Sequence, residues 1–320
     1  MTGATKVVRV ASKKVEALDI CSVELVDPEG AGIPEFSAGS HIDVYLGHGL
    51  IRQYSLCNDP TETHRYVIGV LLDPNTRGGS AAIHALESGQ LITISEPKNH
   101  FPLAHNAKHS VLIAGGIGVT PILCMAERLS NIGADFEFHY CSRSTERMPF
   151  KKRIADSFST RNVSLYYDTG ADSKTIDLVK VLAAPTSGTH VYVCGPAGFM
   201  TWVLETAKKM GWQEGQLHRE YFSGLDIDTS TDSSFELMVA STGAIINVGP
   251  KETALQALIK HGIDVQASCE EGVCGTCLTR VLEGTPEHRD MYLTTAEQDK
   301  GDQFTPCCSR SKTPRLVVDL

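Results

Sequence analysis

The sequence predicts a multidomain chain that opens with an antiparallel β-barrel, continues into an α/β domain with a parallel sheet, and ends in a third module built around cysteines. Three observations carry this reading. At 320 residues, 42% of them apolar, the chain exceeds what one hydrophobic core ordinarily serves and has the material for two or three. Alternating residues punctuated by glycine near the N-terminus give way, past about residue 108, to strand patterns alternating with helical ones. Five of the ten cysteines then crowd behind residue 268.

In chain order, HIDVYLGHGL (41–50) alternates and carries two glycines, so it reads as a hairpin of the barrel that runs on into IRQYSL (51–56). A strand over 66–72 precedes Arg77-Gly78-Gly79-Ser80, which opens a short helix whose amides and hydroxyl suit a phosphate. A buried strand over 110–114 runs into Gly115-Gly116-Ile117-Gly118-Val119-Thr120-Pro121. Thr120 is expected to cap, and Pro121 to begin, a helix starting near Ile122, leaving free amides to face a pyrophosphate. The third glycine of a G-x-G-x-x-G fingerprint is absent. One strand over 163–167 ends at Asp168, and another over 190–193 ends in Cys194-Gly195-Pro196. The polar stretch DIDTSTDSS (226–234) reads as a flexible joint. These limits divide the chain into 1–105, 106–226, a linker at 227–234, and 235–320.

Composition narrows the function. A formal net charge of −9 without a basic stripe disfavours nucleic acid. The N-terminus has no apolar signal core, and no run approaches the roughly 18 apolar residues that span a bilayer, so no membrane association is expected. Ten cysteines without a secretory signal are expected to be thiols or metal ligands in the cytoplasm. Cys21, Cys57, Cys124, Cys141 and Cys194 lie singly among apolar residues and read as small buried hydrophobes. The twelve histidines are dispersed and read as surface or strand-end residues.

Cys269, Cys274 and Cys277 have C-x4-C-x2-C spacing, which with one distant fourth cysteine is the plant-type pattern for a [2Fe-2S] cluster. Zinc, the rival for four thiolates, is usually held by paired C-x2-C ligands. Gly272 and Gly275 suit a loop that turns its amides toward bridging sulfides. The fourth ligand is Cys307 or its neighbour Cys308.

From about residue 235 onward the chain resembles a plant-type ferredoxin domain, and in particular that of the phthalate dioxygenase reductase family. The residues that carry the resemblance are Cys269-Glu270-Glu271-Gly272-Val273-Cys274-Gly275-Thr276-Cys277, His288-Arg289-Asp290-Met291, and Cys307-Cys308-Ser309-Arg310-Ser311-Lys312. The resemblance implies an α+β (β-grasp) domain with a strand pair over 235–248, a helix over 253–261 and a closing strand over 316–320. It also implies that Cys307 is the fourth ligand, with Cys308 where an ordinary apolar residue is tolerated.

Upstream, Arg52-Gln53-Tyr54-Ser55 resembles the flavin-binding signature of the ferredoxin-NADP reductase superfamily. That resemblance implies Arg52 on a flavin phosphate, Tyr54 along the flavin and Ser55 at ring position N5, with Arg77, Gly78, Gly79 and Ser80 as a second phosphate contact. FMN is the implied flavin, although the motifs alone admit FAD. The same superfamily's nucleotide loop is similar to Gly115, Gly116, Gly118, Thr120 and Pro121, and its C-G-P turn beside the nicotinamide to Cys194, Gly195 and Pro196. In His218-Arg219-Glu220-Tyr221-Phe222-Ser223-Gly224 the resemblance sets Glu220 near the nicotinamide and Phe222 against the flavin ring. Asp168 falls where the family meets the adenosine ribose. A carboxylate there accepts from a 2′-hydroxyl and repels a 2′-phosphate, which favours NADH, with Arg143 and Arg147 as the cations that would favour NADPH.

Hydride arrives as an electron pair and an iron-sulfur centre takes single electrons, so flavin is the cofactor that links them. Ser55, Cys194, Glu220 and Phe222 are the expected catalytic set. The expected function is the NADH-dependent reductase of a two-component Rieske-type aromatic-ring oxygenase or O-demethylase, with a separate oxygenase as partner. The alternatives are a non-enzymatic iron-sulfur carrier, and a reductase serving a soluble ferredoxin or a cytochrome P450.

Overall fold

Strands whose every second residue is apolar roll into a barrel in the N-terminal region. They are β1 (Thr5–Ala17), β2 (Ile20–Val26), β3 (Ser40–Tyr45), β4 (Ile51–Ser55), β5 (Tyr66–Leu71), β6 (Leu91–Ser95) and the short β7 (Lys98–Asn99), with α1 (Gly79–Ala85) after β5. The computed structural model describes every residue except 1–3, 48, 75–77, 159–161, 171–172 and 225–227. Val8 and Val10, Val23 and Leu25, Ile42 and Val44, and Ile92 and Ile94 each stand two apart and point into one core, as a two-residue side-chain period requires. The antiparallel order is β4-β3-β6-β1-β2-β5, with β7 on β3. Past the end of β4, Leu56 bridges to Ile68 of β5 and the Cys57 amide donates to Val67 at 2.9 Å, so the first and last strands meet. The expected hairpin is present, with His41 paired to Ser55 and Tyr45 to Ile51.

The next region alternates β8 (His109–Gly115), α2 (Val119–Asn131), β9 (Phe136–Ser142), α3 (Lys151–Ser157), β10 (Val163–Tyr167), α4 (Leu178–Val181), β11 (Thr189–Cys194), α5 (Ala197–Lys209) and β12 (Leu217–Glu220). The five strands are all parallel, in the order β10-β9-β8-β11-β12. Six of the seven residues of β8 are buried, as expected for a central strand covered on both faces. Strands are added outward on one side of β8 as β9 and β10 and on the other as β11 and β12, so strand order reverses between β8 and β11, and ligands of open parallel sheets bind outside the carboxyl ends at such a switch point.

The chain forms two compact units, dividing after Glu220, where the sequence reading expected three segments and a boundary at 226. The reason is a shared core: Ala38, Cys57, Val67 and Phe101 from the barrel side pack in one cluster with Leu112, Leu123 and Met125 of the α/β layers.

The second unit holds β13 (Phe235–Val239), β14 (Ile245–Val248), α6 (Ala254–Lys260), β15 (Thr279–Glu283), β16 (Pro286–Glu287), α7 (Thr295–Gln298), β17 (Gln303–Phe304), β18 (Arg310–Ser311) and β19 (Arg315–Val318). Its mixed sheet runs β14-β13-β19-β15-β17, with β19 parallel to β13, and β16 pairs with β18. Thr253 caps α6 by accepting from the Gln256 amide at 3.1 Å while Gln256 accepts back from the Thr253 amide at 3.0 Å. Leu255 and Leu258 of α6 pack on Leu237, Ile246 and Leu316. No helix among the described residues is long and apolar enough to cross a membrane.

Candidate functional site

In the first unit, parallel pairing brings the nominated residues to one edge of the sheet. Cys194 is in register with Ala114 on one side and Glu220 on the other, and Tyr167 pairs with Ser142. Gly115, Asp168, Cys194 and Glu220 therefore mark the carboxyl ends of their strands. A side chain at Gly118 would run into the Cys194 carbonyl and the Gly195 amide, so the two glycine turns meet backbone to backbone at the switch point. Gly115 and Gly195 also approach each other, and the Phe199 ring fills the space beside both. Sequence reasoning missed Phe199. Its signal was an aromatic residue in the first turn of the helix following the C-G-P turn.

The start of α2 differs from expectation. A 3-10 turn over Gly116–Gly118 runs straight into the helix at Val119, with Gly118 as N-cap and no side-chain cap. Thr120 lies inside the first turn, where its hydroxyl donates to the Ile117 carbonyl at 3.1 Å, and Pro121 is the third helical residue. Proline is tolerated there because the first amides of a helix have no intrahelical acceptor. No side chain caps α2, so its first amides have no side-chain acceptor.

Ser55, at the end of β4, donates to Glu220 Oε2 at 2.9 Å across 165 residues of sequence, tying the barrel strand to the edge of the parallel sheet. Desolvation pushes the Glu220 carboxyl from 4.5 up to about 7, with the Ser55 hydrogen bond pulling the other way. Burial, then the Glu220 charge, pushes the Cys194 thiol well up, so it stays protonated. Burial likewise raises the Tyr54 phenol. His41 faces Ser55 across the β3–β4 pair and was not anticipated; burial and neighbouring His100 lower it to about 4, so it is neutral at physiological pH.

The Arg52 side chain lies against Gly79 at the start of α1, where a Cβ would displace it. Gly78 is the left-handed N-cap of α1, and the Ser80 hydroxyl accepts from the Asp73 amide at 3.2 Å. Arg77 lies outside the described residues. Asp168 is exposed after β10, its amide bonded to Ser142 O at 3.2 Å, and Arg143 O accepts from Thr169. Arg147, a potential 2′-phosphate partner, instead pairs with Asp19 at 3.3 Å.

In the second unit, Cys269, Cys274, Cys277 and Cys307 are all buried, and none of the ten cysteines forms a disulfide. Cys269 lies within hydrogen-bond reach of Cys274, and Cys307 within reach of both Cys277 and its neighbour Cys308. Among the described residues no group of three or more His, Cys, Asp or Glu could hold a single metal ion. Two pairs of thiols fit a two-iron cluster, which takes two ligands on each iron, better than one tetrahedral ion. The Glu271 and Thr276 amides donate to the sulfurs of Cys269 and Cys274, each at 3.4 Å. Gly272 and Gly275 have φ of 73° and 69°, and a side chain on them would strike Cys308 and Tyr292. Cys308 Sγ lies beside Gly272 and also 3.3 Å from Thr305 Oγ1. Phe222 belongs to this unit and is 42% exposed.

The 2Fe-2S iron-sulfur cluster binding domain family matches residues 237–312, and the dimethylamine monooxygenase subunit DmmA-like N-terminal domain family matches 94–217. Vanillate O-demethylase oxidoreductase of Pseudomonas putida is 53% identical over 97% of this chain and 98% of its own length. Phthalate dioxygenase reductase of Burkholderia cepacia is 37% identical over 98% and 96%. Among solved structures, a phthalate dioxygenase reductase, described as a modular structure for electron transfer from pyridine nucleotides to [2Fe-2S], superposes with a TM-score of 0.77 at 36% identity, covering 99% of this chain and 98% of that one. An intact type IV self-sufficient cytochrome P450 monooxygenase superposes at 0.85 with 38% identity, but this chain spans only 41% of it. With full-length relatives this close, the chain is an oxidoreductase that belongs to the phthalate dioxygenase reductase family.

Proposed function

We propose that the chain is the NADH-dependent reductase of a two-component Rieske-type oxygenase that acts on a methoxylated or otherwise substituted aromatic acid. The observation that carries this is the Ser55–Glu220 hydrogen bond, which joins the flavin-signature strand to the nucleotide edge of the parallel sheet. Bound FMN would accept two electrons from NADH and pass them singly to a [2Fe-2S] cluster. Arg52, with Arg77, Gly78, Gly79 and Ser80, holds the flavin phosphate, and Tyr54 lies along the ring. The uncapped turn of Gly115, Gly116 and Gly118, followed by Thr120 and Pro121, holds the pyrophosphate, and Gly195 and Pro196 shape the nicotinamide pocket. Asp168 accepts from the ribose 2′-hydroxyl.

Ser55 directs its hydroxyl at the flavin edge, and Glu220, poised near neutrality, holds or releases a proton at Oε2 through it. Cys194 remains a neutral thiol that bounds the nicotinamide without adding charge. Cys269 with Cys274, and Cys277 with Cys307, supply the cluster's thiolates. The free thiols fit a reducing cytoplasm. The likeness to 41% of a self-sufficient cytochrome P450 monooxygenase gives a second reading in which the acceptor is a haem protein.

The test is spectroscopic and then enzymatic. The purified chain should show flavin and iron-sulfur absorbance, bleach with NADH and not NADPH, and drive NADH-dependent demethylation by a vanillate O-demethylase oxygenase. A chain without bound flavin would sink the proposal, and coupling to a P450 alone would select the second reading.

A further inference from the structure

Asp232, in the segment whose composition reads as a flexible joint, is tied down. The Asp232 side chain is only 2% exposed, and its oxygens accept from Arg289 Nη2 at 2.6 Å and Nη1 at 3.0 Å, with Arg310 Nε 3.5 Å away. Both arginines are braced in turn. Arg289 also bonds Glu287 Oε1 at 2.8 Å. Arg310 donates to the carbonyls of Glu252, Ser233 and Gly249 at 2.9–3.0 Å and stands 5.2 Å over the Phe235 ring. Eight residues before Asp232, the Gly224 backbone lies so close to the Glu271 carbonyl of the cysteine loop that a Cβ would overlap it. The segment therefore packs on the ferredoxin module at Gly224 and is hydrogen-bonded to it at Asp232.

From these contacts, all within the second unit, we infer that Asp232 is a positioning residue for electron transfer from flavin to cluster. By holding to the ferredoxin module, which Gly224 also packs against, Asp232 places the joint between the two units before Gly224. This rests on the proposed reading, in which one electron at a time leaves the NADH-reduced flavin and converts one ferric iron of the cluster to ferrous. A tether's length and stiffness set the effective concentration of its two ends, so a joint of a few residues keeps donor and acceptor from diluting each other. Arg289 and Arg310, from the H-R-D and C-x-S-R segments, hold the anchor, which gives both segments a mechanical role distinct from cluster ligation.

Anaerobic stopped-flow on the full-length holoprotein mixed with NADH separates flavin bleaching from the later bleaching of the cluster. A Gly-Ser-Gly insertion after Thr229, between the two anchors, should leave both phases within about twofold of the parent, whereas the same insertion after Ser223 should slow cluster reduction about tenfold. Asp232→Asn should slow cluster reduction about threefold, keep the cluster absorbance and the flavin phase, and make the Thr229 insertion cost a further fivefold or so, a coupling that a merely structural role would not produce. Equal slowing by the two insertions in the parent chain overturns the inference, even if the Asp232 variant does not fold. So does a Thr229 insertion as harmless in Asp232→Asn as in the parent. Failure of NADH to bleach the flavin of the parent would instead fault the proposed function.

Discussion

Replacing Glu220 by Gln should stabilise the first unit, and should do so more as pH rises. The side chain keeps partial solvent contact, yet desolvation lifts its carboxyl from 4.5 to about 7. Below about pH 4.5 both native and unfolded chains hold the proton and the substitution is nearly neutral. Between there and about pH 7 the native carboxyl keeps a proton that the unfolded one has released, so native stability falls as pH rises. Above about 7 the full cost is present: a native pKa about 2.5 above the usual value corresponds to about 3 kcal/mol, which solvent access trims to about 2. Glutamine accepts the Ser55 hydrogen bond without ionising, so the variant escapes that cost while losing the proton-holding group, a trade of activity for stability. Both tryptophans, Trp202 and Trp212, lie in the first unit, so their fluorescence during urea unfolding reports on it alone. The variant's midpoint should exceed the parent's by about 1 M at pH 8 and by little at pH 5. A midpoint difference that does not grow with pH would refute the assignment of Glu220 as a desolvated, proton-holding carboxyl.

Three further outcomes are expected. Cys274→Ser should abolish the iron-sulfur absorbance while NADH still bleaches the flavin, and Cys308→Ser should keep the cluster, because the family resemblance makes Cys307 the fourth ligand; loss in the Cys308 variant with retention in a Cys307 variant would reverse the ligand choice. Asp168→Asn should relax the preference for NADH over NADPH about tenfold in kcat/KM, the size of one charge-assisted contact, and equal use of both by the parent enzyme would refute its role. Charge reversal at Glu270 and Glu271 should slow electron transfer to the oxygenase and weaken its salt dependence, with the NADH-to-flavin phase unchanged, because exposed charges steer partners over about a Debye length of 10 Å at 0.1 M salt. Glu287 should contribute little to this steering, since Arg289 already pairs with it at 2.8 Å. A transfer rate indifferent to salt and to both reversals would leave the acidic loop without a steering role.

What the sequence by itself determined is what a short stretch of chain dictates. The β3–β4 hairpin, the strand limits at Val163–Tyr167 and the three-cysteine loop depend on period, turn residues and local spacing, and each stands where those signals put it, while the helix after Thr253 stands where the family resemblance implied it. The strand-to-helix glycine turn was legible too, but its first helical residue was not. Thr120 has cap chemistry, yet Gly118 caps, because close packing of that turn on Cys194 and Gly195 sets the backbone path ahead of side-chain preference.

Tertiary structure alone decided everything that joins distant residues. Ser55 and Glu220 were nominated separately; that one donates to the other, and that desolvation carries the carboxyl to about 7, follows only when the barrel and parallel sheet share a core. The same holds for Cys307, whose partner Cys277 is thirty residues away, and for Phe199, whose ring has meaning only against two glycine turns. Asp232, in a stretch whose composition reads as a flexible joint, shows the limit most clearly. Polar, apolar-poor composition predicts flexibility because polar side chains are assumed to find water, and Asp232 finds Arg289, 57 residues on, instead. A local sequence pattern reports what a residue can bond to, and only the packed fold brings that partner within reach.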